Sequence, residues 1–352
     1  MKPSSYVRKS VRSLRRPSYR TLPPKIIGMN DNSNLFMPNP VAKKVAKEFN
    51  FDLLAAYPSI LSDDLRDAIG EKLEINPSQI IVGNGSDEII DLAVKTFLNP
   101  GEKIAIPVPT FEMYSLYARI AGAKVVECPL REKSFQLDVD RILSSNAKMI
   151  FLASPNNPTG NMMREQDLLR IVKESNSIVV VDEAYIDFTE SDGLVSAVNN
   201  ADNLLVLRTF SKAFALSGLR IGYGIGSKAV LDPITAICAP FRLNRFSERV
   251  AIEALADDEF VKGIAKMAKE ERKWTAMKLK KLGITVFPSD ANFFLFKSPI
   301  PVRKLVDGLM RAGIAIRNCS NQPMLDNCAR VTVGRRELNK KLIDAMTSVL
   351  ER

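Results

Sequence analysis

Residues 178–185 read IVVVDEAY, four consecutive apolar residues followed by two acids, an alanine and a tyrosine. The apolar run lacks period-two alternation, which is typical of a strand that is buried on both faces of a sheet. A carboxylate at the end of such a strand is costly to bury unless it meets a positive partner. The stretch therefore predicts an inner strand of a parallel sheet, with Asp182 at its carboxyl end and a cation opposite.

Similar apolar runs alternate with helical stretches from about residue 65 to residue 230. This alternation predicts a mainly parallel α/β sheet. The predicted strands are Ile80–Val82, Lys103–Ile106, Lys124–Glu127, Met149–Leu152, Ile178–Val181, Leu204–Leu207 and Ile221–Ile225. Residues 247–281 have helical spacing, and the short strand-like runs that follow predict a smaller α+β unit.

The length and composition indicate a globular protein of more than one domain. A chain of 352 residues suggests about two domains at a prior of roughly 150 residues per domain. We predict an N-terminal arm over residues 1–38, a large domain over residues 39–250 and a small domain over residues 251–352. No apolar run approaches the ~18 residues that a membrane-spanning helix requires, so we expect a soluble protein without a membrane partner.

The net charge of +10 is unevenly distributed, because residues 1–25 contain eight Lys/Arg and no acid. An acid-free start that is rich in Arg and Ser could be an organelle transit peptide. A nucleic-acid-binding arm is another interpretation, but a known nucleic-acid-binding motif is lacking. An anionic substrate explains the charge more simply, and no nucleic-acid partner is expected.

Several kinds of chemistry are excluded by composition. Histidine is absent, which excludes Ser-His-Asp hydrolysis, Cys-His catalysis and H-E-x-x-H zinc sites, and no metal site is expected. An apolar strand ending in Asp-Glu also describes the magnesium-binding strand of a nucleotidase, which requires a G-x-x-x-x-G-K-[ST] loop that the sequence lacks. The four cysteines form no C-x-x-C pair, so a cytoplasmic setting is the default expectation.

Three further motifs follow predicted strands. In GNGSDE (83–88) the glycines and the helix N-terminus favour an anion such as phosphate, and a plain turn with Ser86 as N-cap is the alternative. SPNNPTG (154–160) is either a polar turn or part of a ligand site, because ligands bind at the carboxyl ends of parallel strands. RTFSKAFALSGLRIGY (208–223) places Lys212 among small hydroxyl and apolar residues, which suits a nucleophilic amine.

Together, the order and spacing of these motifs resemble those of fold-type I pyridoxal-phosphate enzymes. More narrowly, NGSDE, PTFEMY, SPNNPTG, VDEAYIDF and RTFSKAFALSGLRIGY resemble the histidinol-phosphate aminotransferase family, over nearly the whole chain. The resemblance implies an α/β fold whose large domain has a mainly parallel seven-stranded sheet and whose small C-terminal domain is α+β. It also implies transamination between histidinol phosphate, or imidazole-acetol phosphate, and glutamate or 2-oxoglutarate. The partners would be a small amino donor, a 2-oxo acid and a second copy of the chain that shares the active site.

The resemblance gives each matching residue an expected role. Lys212 would carry pyridoxal 5'-phosphate covalently, and Asp182 would pair with the ring nitrogen so that the ring acts as an electron sink. Further cofactor contacts are implied for Tyr57 from the neighbouring subunit and for Gly85, Ser86, Asp87, Phe111, Asn157, Tyr185, Thr209, Ser211 and Arg220.

Substrate contacts are implied for Tyr19, Asn30, Asp31, Arg317 and Arg330. Two arginines fit a dianionic phosphate better than a single carboxylate. The chain departs from the family pattern in two places, by an extra residue before Tyr19 and by NDNS (30–33) where the family has Asn-Glu-Asn-Pro. Alternatives with the same fold are an aromatic amino-acid aminotransferase, a threonine-phosphate decarboxylase and a binding module without catalytic activity.

Overall fold

The computed structural model of the protein describes residues 6–12, 14 and 22–351. Tyr19, which the sequence predicts to contact the substrate, lies outside the described residues. Within these ranges, no helix combines the length and the apolar composition that crossing a membrane requires.

The elements alternate between strands and helices for most of the chain. The strands are β1 (Ile27–Gly28), β2 (Ile80–Gly83), β3 (Lys103–Val108), β4 (Lys124–Pro129), β5 (Met149–Ala153), β6 (Ile178–Asp182), β7 (Leu204–Thr209), β8 (Gly222–Gly226), β9 (Thr285–Val286), β10 (Phe293–Lys297), β11 (Ile314–Ala315), β12 (Arg317–Asn318) and β13 (Cys328–Thr332). The helices are α1 (Lys9–Arg12), α2 (Pro40–Glu48), α3 (Asp63–Leu73), α4 (Ser86–Phe97), α5 (Glu112–Ala121), α6 (Val139–Ser144), α7 (Glu165–Glu174), α8 (Lys228–Ala236), α9 (Arg245–Leu255), α10 (Asp258–Lys281), α11 (Val302–Arg311) and α12 (Arg336–Leu350).

The predicted strands β2 to β8 form one sheet of seven strands in the order β2-β8-β7-β6-β5-β3-β4. The pairs from β7 to β4 are parallel, and β8 runs antiparallel to both of its neighbours. The mainly parallel sheet is thus confirmed. Because β5, β6 and β7 are adjacent and parallel, the loops at their carboxyl ends lie side by side at one edge of the sheet.

Strand β6 shows why the run that ends in Asp182 has no polar alternation. Val180 packs in a buried cluster on one sheet face with apolar residues of α4, α5 and α8. Val179 and Val181 point to the opposite face, into a second cluster that includes residues of α3, α7 and α9. A strand covered by helices on both sides must be apolar along its whole length, as the sequence predicts.

The smaller α+β unit is also present. Strands β9, β10, β12 and β13 form an antiparallel sheet in the order β12-β13-β10-β9. Ile27 of β1 pairs in parallel with Ile314 of β11, so a segment near the N-terminus packs with this unit. A third buried cluster contains residues of α10, α11 and α12 together with β10 and β13. The predicted domain limits at residues 38 and 250 stay predictions.

Candidate active site

The carboxyl ends of β5, β6 and β7 open into a cleft of about 200 Å³ that the smaller unit closes from the other side. Nearly all the predicted site residues lie around it. The cleft is lined by Asn30, Asp31, Ser86, Asp87, Phe111, Asn157, Asp182, Tyr185, Thr209, Ser211, Lys212, Arg220, Arg317 and Arg330.

Asp182 lies buried in this cleft, at the end of β6. The hydroxyl of Tyr114 donates a hydrogen bond of 2.6 Å to its carboxylate, and the backbone N–H of Ala184 donates another of 3.0 Å. Burial raises the pKa of the Asp182 carboxyl, although both hydrogen bonds oppose the shift. A positive group in the cleft would favour the ionised carboxylate. The sequence interpretation did not assign Tyr114 a role, because its position on α5 is also that of an ordinary core residue.

The N-terminus of α4 forms one end of the cleft. Gly85 is its N-cap with a φ of 85°, and Ser86 is the first helical residue, so the alternative with Ser86 as N-cap is wrong. The start of α4 lies directly against Gly222 of β8. A glycine is needed there, because a Cβ at this position would overlap the backbone of residues 85 and 86. N–H groups in the first turn of a helix have no intrahelical acceptor and favour an anion.

Polar side chains surround the same helix end. The hydroxyls of Thr209 and Ser211 are hydrogen-bonded to each other at 3.0 Å. The guanidinium of Arg220 lies 3.5 Å from the Ser211 hydroxyl and 3.4 Å from the Asp87 carboxylate. Hydroxyls, a guanidinium and a helix N-terminus together make a donor set that suits a phosphate dianion.

Lys212 lies in the loop after β7 and lines the cleft together with Asp182. Its Nζ is 3.4 Å from the carbonyl oxygen of Asp31 and 5.6 Å from the centre of the Tyr185 ring. Phe111 also lines the cleft, and its ring packs edge-on against that of Tyr114. The amine and the carboxylate thus share one cavity with two aromatic rings.

Asn32 is a site residue that the sequence interpretation missed. It is 1% exposed, and its Nδ2 donates a hydrogen bond of 2.9 Å to the Tyr185 hydroxyl. Its backbone N–H donates to the Thr332 hydroxyl at 3.0 Å, which fixes the segment to β13. The NDNS motif was the available signal, but only its first two residues were assigned to the site.

Arg330 of β13 is buried against the cleft. It donates hydrogen bonds to Asn157 Oδ1 and to the carbonyl oxygen of Asn30, and its guanidinium lies 5.3 Å from the centre of the Phe293 ring. Burial lowers the pKa of Arg330, and among the described residues its Nε has no hydrogen-bond partner. A buried guanidinium with a spare donor suits a carboxylate ligand.

Arg317 lies opposite Arg330 in the pairing of β12 with β13. Its Nη2 is 3.4 Å from Oε2 of Glu112, the first residue of α5. The sequence interpretation quoted the PTFEMY motif but assigned no role to Glu112. The two predicted substrate arginines are therefore neighbours, and one of them already has a carboxylate partner.

Tyr57 lies outside the cleft of its own chain. It is 77% exposed, and its ring stacks on that of Phe241 with 4.6 Å between the centres. The guanidinium of Arg245 donates to the carbonyl oxygens of Ala56 and Tyr57, which fixes the loop in an outward position. The residue is available to a neighbouring molecule rather than to its own site.

The chain is similar to known aminotransferases in both sequence and structure. The family model described as aminotransferase class I and II matches residues 24–346. A histidinol-phosphate aminotransferase from Thermoanaerobacter sp. (strain X514) is 37% identical over 328 residues, covering 92% of each chain. The crystal structure of the histidinol-phosphate aminotransferase from Clostridium acetobutylicum superimposes with a TM-score of 0.86 at 30% identity, over 93% of this chain and 99% of that one.

A further solved structure shares the fold. It is the histidinol-phosphate aminotransferase from Sinorhizobium meliloti in complex with pyridoxal-5'-phosphate, with a TM-score of 0.89 at 23% identity, over 99% of this chain and 98% of that one. At this identity the likeness concerns the fold alone.

Proposed function

This chain belongs to the aminotransferase class I and II family, and we propose that it transfers an amino group between histidinol phosphate and 2-oxoglutarate with pyridoxal 5'-phosphate as cofactor. The observation that carries the proposal is the buried carboxylate of Asp182 in one cleft with the amine of Lys212. A buried carboxylate calls for a cation, and a protonated pyridine nitrogen is one. The relatives that match most of the chain are histidinol-phosphate aminotransferases, which supports the same substrate.

The residues around the cleft fit this cofactor at each of its functional groups. The α4 N-terminus with Thr209, Ser211 and Arg220 would hold the phosphate. Asp182 would pair with the ring nitrogen, and Phe111 would lie against the ring. Tyr185 and Asn157 would hydrogen-bond the ring hydroxyl, with Asn32 orienting the phenol of Tyr185.

The proposed mechanism divides the work between the cofactor and the chain. When bound, the cofactor supplies an electron sink for the negative charge that develops at the substrate Cα. Lys212 would hold the cofactor, and its Nζ would move the Cα proton of the amino donor as a general base and acid. Such proton transfer is typically worth about 10² to 10⁴ in rate. Asp182 would stabilise the positive charge of the ring nitrogen.

The two arginines support an anionic substrate. Arg330 would bind the carboxylate of glutamate or the phosphate of histidinol phosphate, since its buried Nε has no partner among the described residues. Arg317, directly opposite on β12, would add a second guanidinium for a dianion. Asn30 and Asp31, which line the same cleft, would contact the rest of the substrate.

We also propose that the active unit is a homodimer. Exposed apolar side chains are concentrated in the segment that contains Tyr57 and include Phe51, Leu54 and Ile60, which are 58%, 53% and 57% exposed. Contiguous exposed apolar side chains indicate a protein interface. In a dimer, Tyr57 would reach the cofactor phosphate in the neighbouring subunit. The four free cysteines agree with action in the cytoplasm.

The proposal is tested by assaying the purified protein with histidinol phosphate, phenylalanine and threonine phosphate, each with 2-oxoglutarate. We expect glutamate to form fastest with histidinol phosphate. Release of carbon dioxide from threonine phosphate would instead identify a decarboxylase, and faster turnover of phenylalanine would identify an aromatic aminotransferase. Sedimentation of the holoenzyme measures its oligomeric state. A monomer with full activity would exclude an active site shared between two subunits.

A further inference from the structure

Glu112 lies at the mouth of the cleft, where polar side chains from two parts of the protein meet. Its Oε2 is 3.4 Å from Arg317 Nη2. Its Oε1 accepts hydrogen bonds from the side-chain amides of Asn321 and Gln322, each at 3.4 Å. Glu112 begins α5 on the side of the large sheet, whereas the other three residues lie on β12 and the loop after it. The carboxylate therefore joins the two sides of the cleft.

The contact between Glu112 and Arg317 has the same chemistry as the binding of an anionic substrate. A carboxylate presents its oxygens to a guanidinium just as a substrate carboxylate or phosphate does. Asp31 is another acid that lines the cleft, but its Oδ1 accepts a hydrogen bond from the backbone of Ser33. An anion that takes the N–H of Arg317 that faces Glu112 displaces the Glu112 carboxylate.

We propose that Glu112 is a specificity-determining residue, an internal competitor that occupies Arg317 until the anionic group of a substrate replaces it. The inference rests on the proposed function, in which Arg317 binds that group. Glu112 weakens the binding of every amino donor with an anionic distal group. A donor with an uncharged side chain leaves the pair intact, and Arg317 keeps its counter-charge. Glu112 thus reduces the difference in affinity between anionic and uncharged donors. In this way an opposing interaction sets the specificity of the site.

The environment of the pair allows this exchange. The side chains of Arg317 and Glu112 are 33% and 43% exposed, so water screens their attraction. Glu112 and Gln322 also line a second cavity of about 350 Å³, whose lining does not include Arg317. That cavity gives the displaced carboxylate room, and a dianionic phosphate can then take its place on the guanidinium.

The test compares holoenzyme carrying Glu112→Gln with the wild type. The amide keeps the size of the side chain and can still accept from Asn321 or Gln322, but it lacks the charge. An exposed pair of this kind corresponds to about a two- to fivefold effect, so KM for histidinol phosphate and for glutamate should fall by that factor at unchanged kcat. KM for phenylalanine should not fall. The matched control is Glu102→Gln, which removes an exposed carboxylate paired with Lys148 away from the cleft and should alter no constant.

Two further measurements make the outcome decisive. When Arg317 is replaced by glutamine, Glu112→Gln should no longer lower KM, because the Glu112 carboxylate then has no guanidinium to occupy. The constant for inhibition by inorganic phosphate, measured with glutamate as substrate, should fall together with KM. This constant tests the role of Glu112 even if histidinol phosphate is not a substrate. The inference is overturned if Glu112→Gln leaves KM for glutamate and the phosphate inhibition constant unchanged or raises them. An equal decrease with Arg317 absent would overturn it too.

Discussion

Replacing Glu183 by glutamine should destabilise the protein strongly, although this residue does not line the cleft. Glu183 follows Asp182 and forms an ion pair of 2.9 Å with Arg208 on β7. The two side chains are 2% and 10% exposed. The carboxylate also accepts a hydrogen bond of 2.6 Å from the backbone N–H of Leu194. Burial raises the pKa of Glu183, and the charge of Arg208 opposes the shift, as expected for a buried pair.

The size of the effect follows from what glutamine retains. One oxygen can still accept the Leu194 N–H, but the amide turns a donor towards the guanidinium of Arg208. Arg208 becomes a buried cation without its paired carboxylate, although the charge of Asp187 still acts on it, and breaking a buried pair in this way costs about 3–5 kcal/mol. The pair between Lys148 and Glu102 is 48% and 32% exposed, and an exposed pair contributes about 0–1 kcal/mol. Glu102→Gln is therefore the matched control.

Thermal unfolding, followed by calorimetry or circular dichroism, compares the two variants with the wild type. At roughly 2–4 °C per kcal/mol, Glu183→Gln should lower Tm by about 6 °C or more, and Glu102→Gln by less than about 4 °C. Equal and small decreases in both variants would refute the argument, because they would mean that water screens the Glu183–Arg208 pair as it does the exposed one.

Three other substitutions probe the surroundings of the site. Asn32→Ala removes the donor to the Tyr185 hydroxyl, and a loss of about 1.4 kcal/mol predicts a tenfold lower kcat. The pH midpoint of the cofactor absorbance should also shift. An unchanged spectrum would argue that Asn32 does not position the Tyr185 phenol. Gly193→Ala should lower Tm by the equivalent of about 1–3 kcal/mol, since φ is 70° and a Cβ would overlap the Glu183 carboxylate; wild-type Tm would contradict this. Burial raises the pKa of Asp187 from its usual value of 3.8 to about 6, so the folded state binds this proton more tightly than the unfolded chain does. The stability therefore falls as pH rises between these values. Asp187→Asn should therefore raise Tm at pH 7.5 but not below about pH 4, and equal shifts at both pH values would disprove it.

The large sheet could be predicted because its signals are local. Each inner strand must be apolar on both faces, so β6 is visible in the sequence as an unbroken run. The residue that ends such a strand must lie at the carboxyl edge of the sheet, which places Asp182 in the cleft. The antiparallel direction of β8 was not predicted, because a run rich in glycine contains no signal for its pairing partner.

The missed residues depend on contacts between distant parts of the chain. Asn32 meets Tyr185 across 153 positions, and Glu112 meets Arg317 across 205 positions. No periodicity marks such a pair, because each partner obeys its own local pattern. Tyr114 was missed for a related reason, since a tyrosine on the buried face of a helix is usually a packing residue and only its hydrogen bond to Asp182 distinguishes it.

We propose that Lys212 holds the cofactor covalently, and chemical trapping can locate that bond. Borohydride reduces the imine that a lysine amine forms with the pyridoxal aldehyde to a stable secondary amine, and peptide mass spectrometry then locates the added mass. We expect the mass of reduced pyridoxal phosphate on the peptide that contains Lys212, and none after Lys212→Ala. A modification on another lysine, or an unmodified Lys212 in yellow, active enzyme, would show that Lys212 does not hold the cofactor.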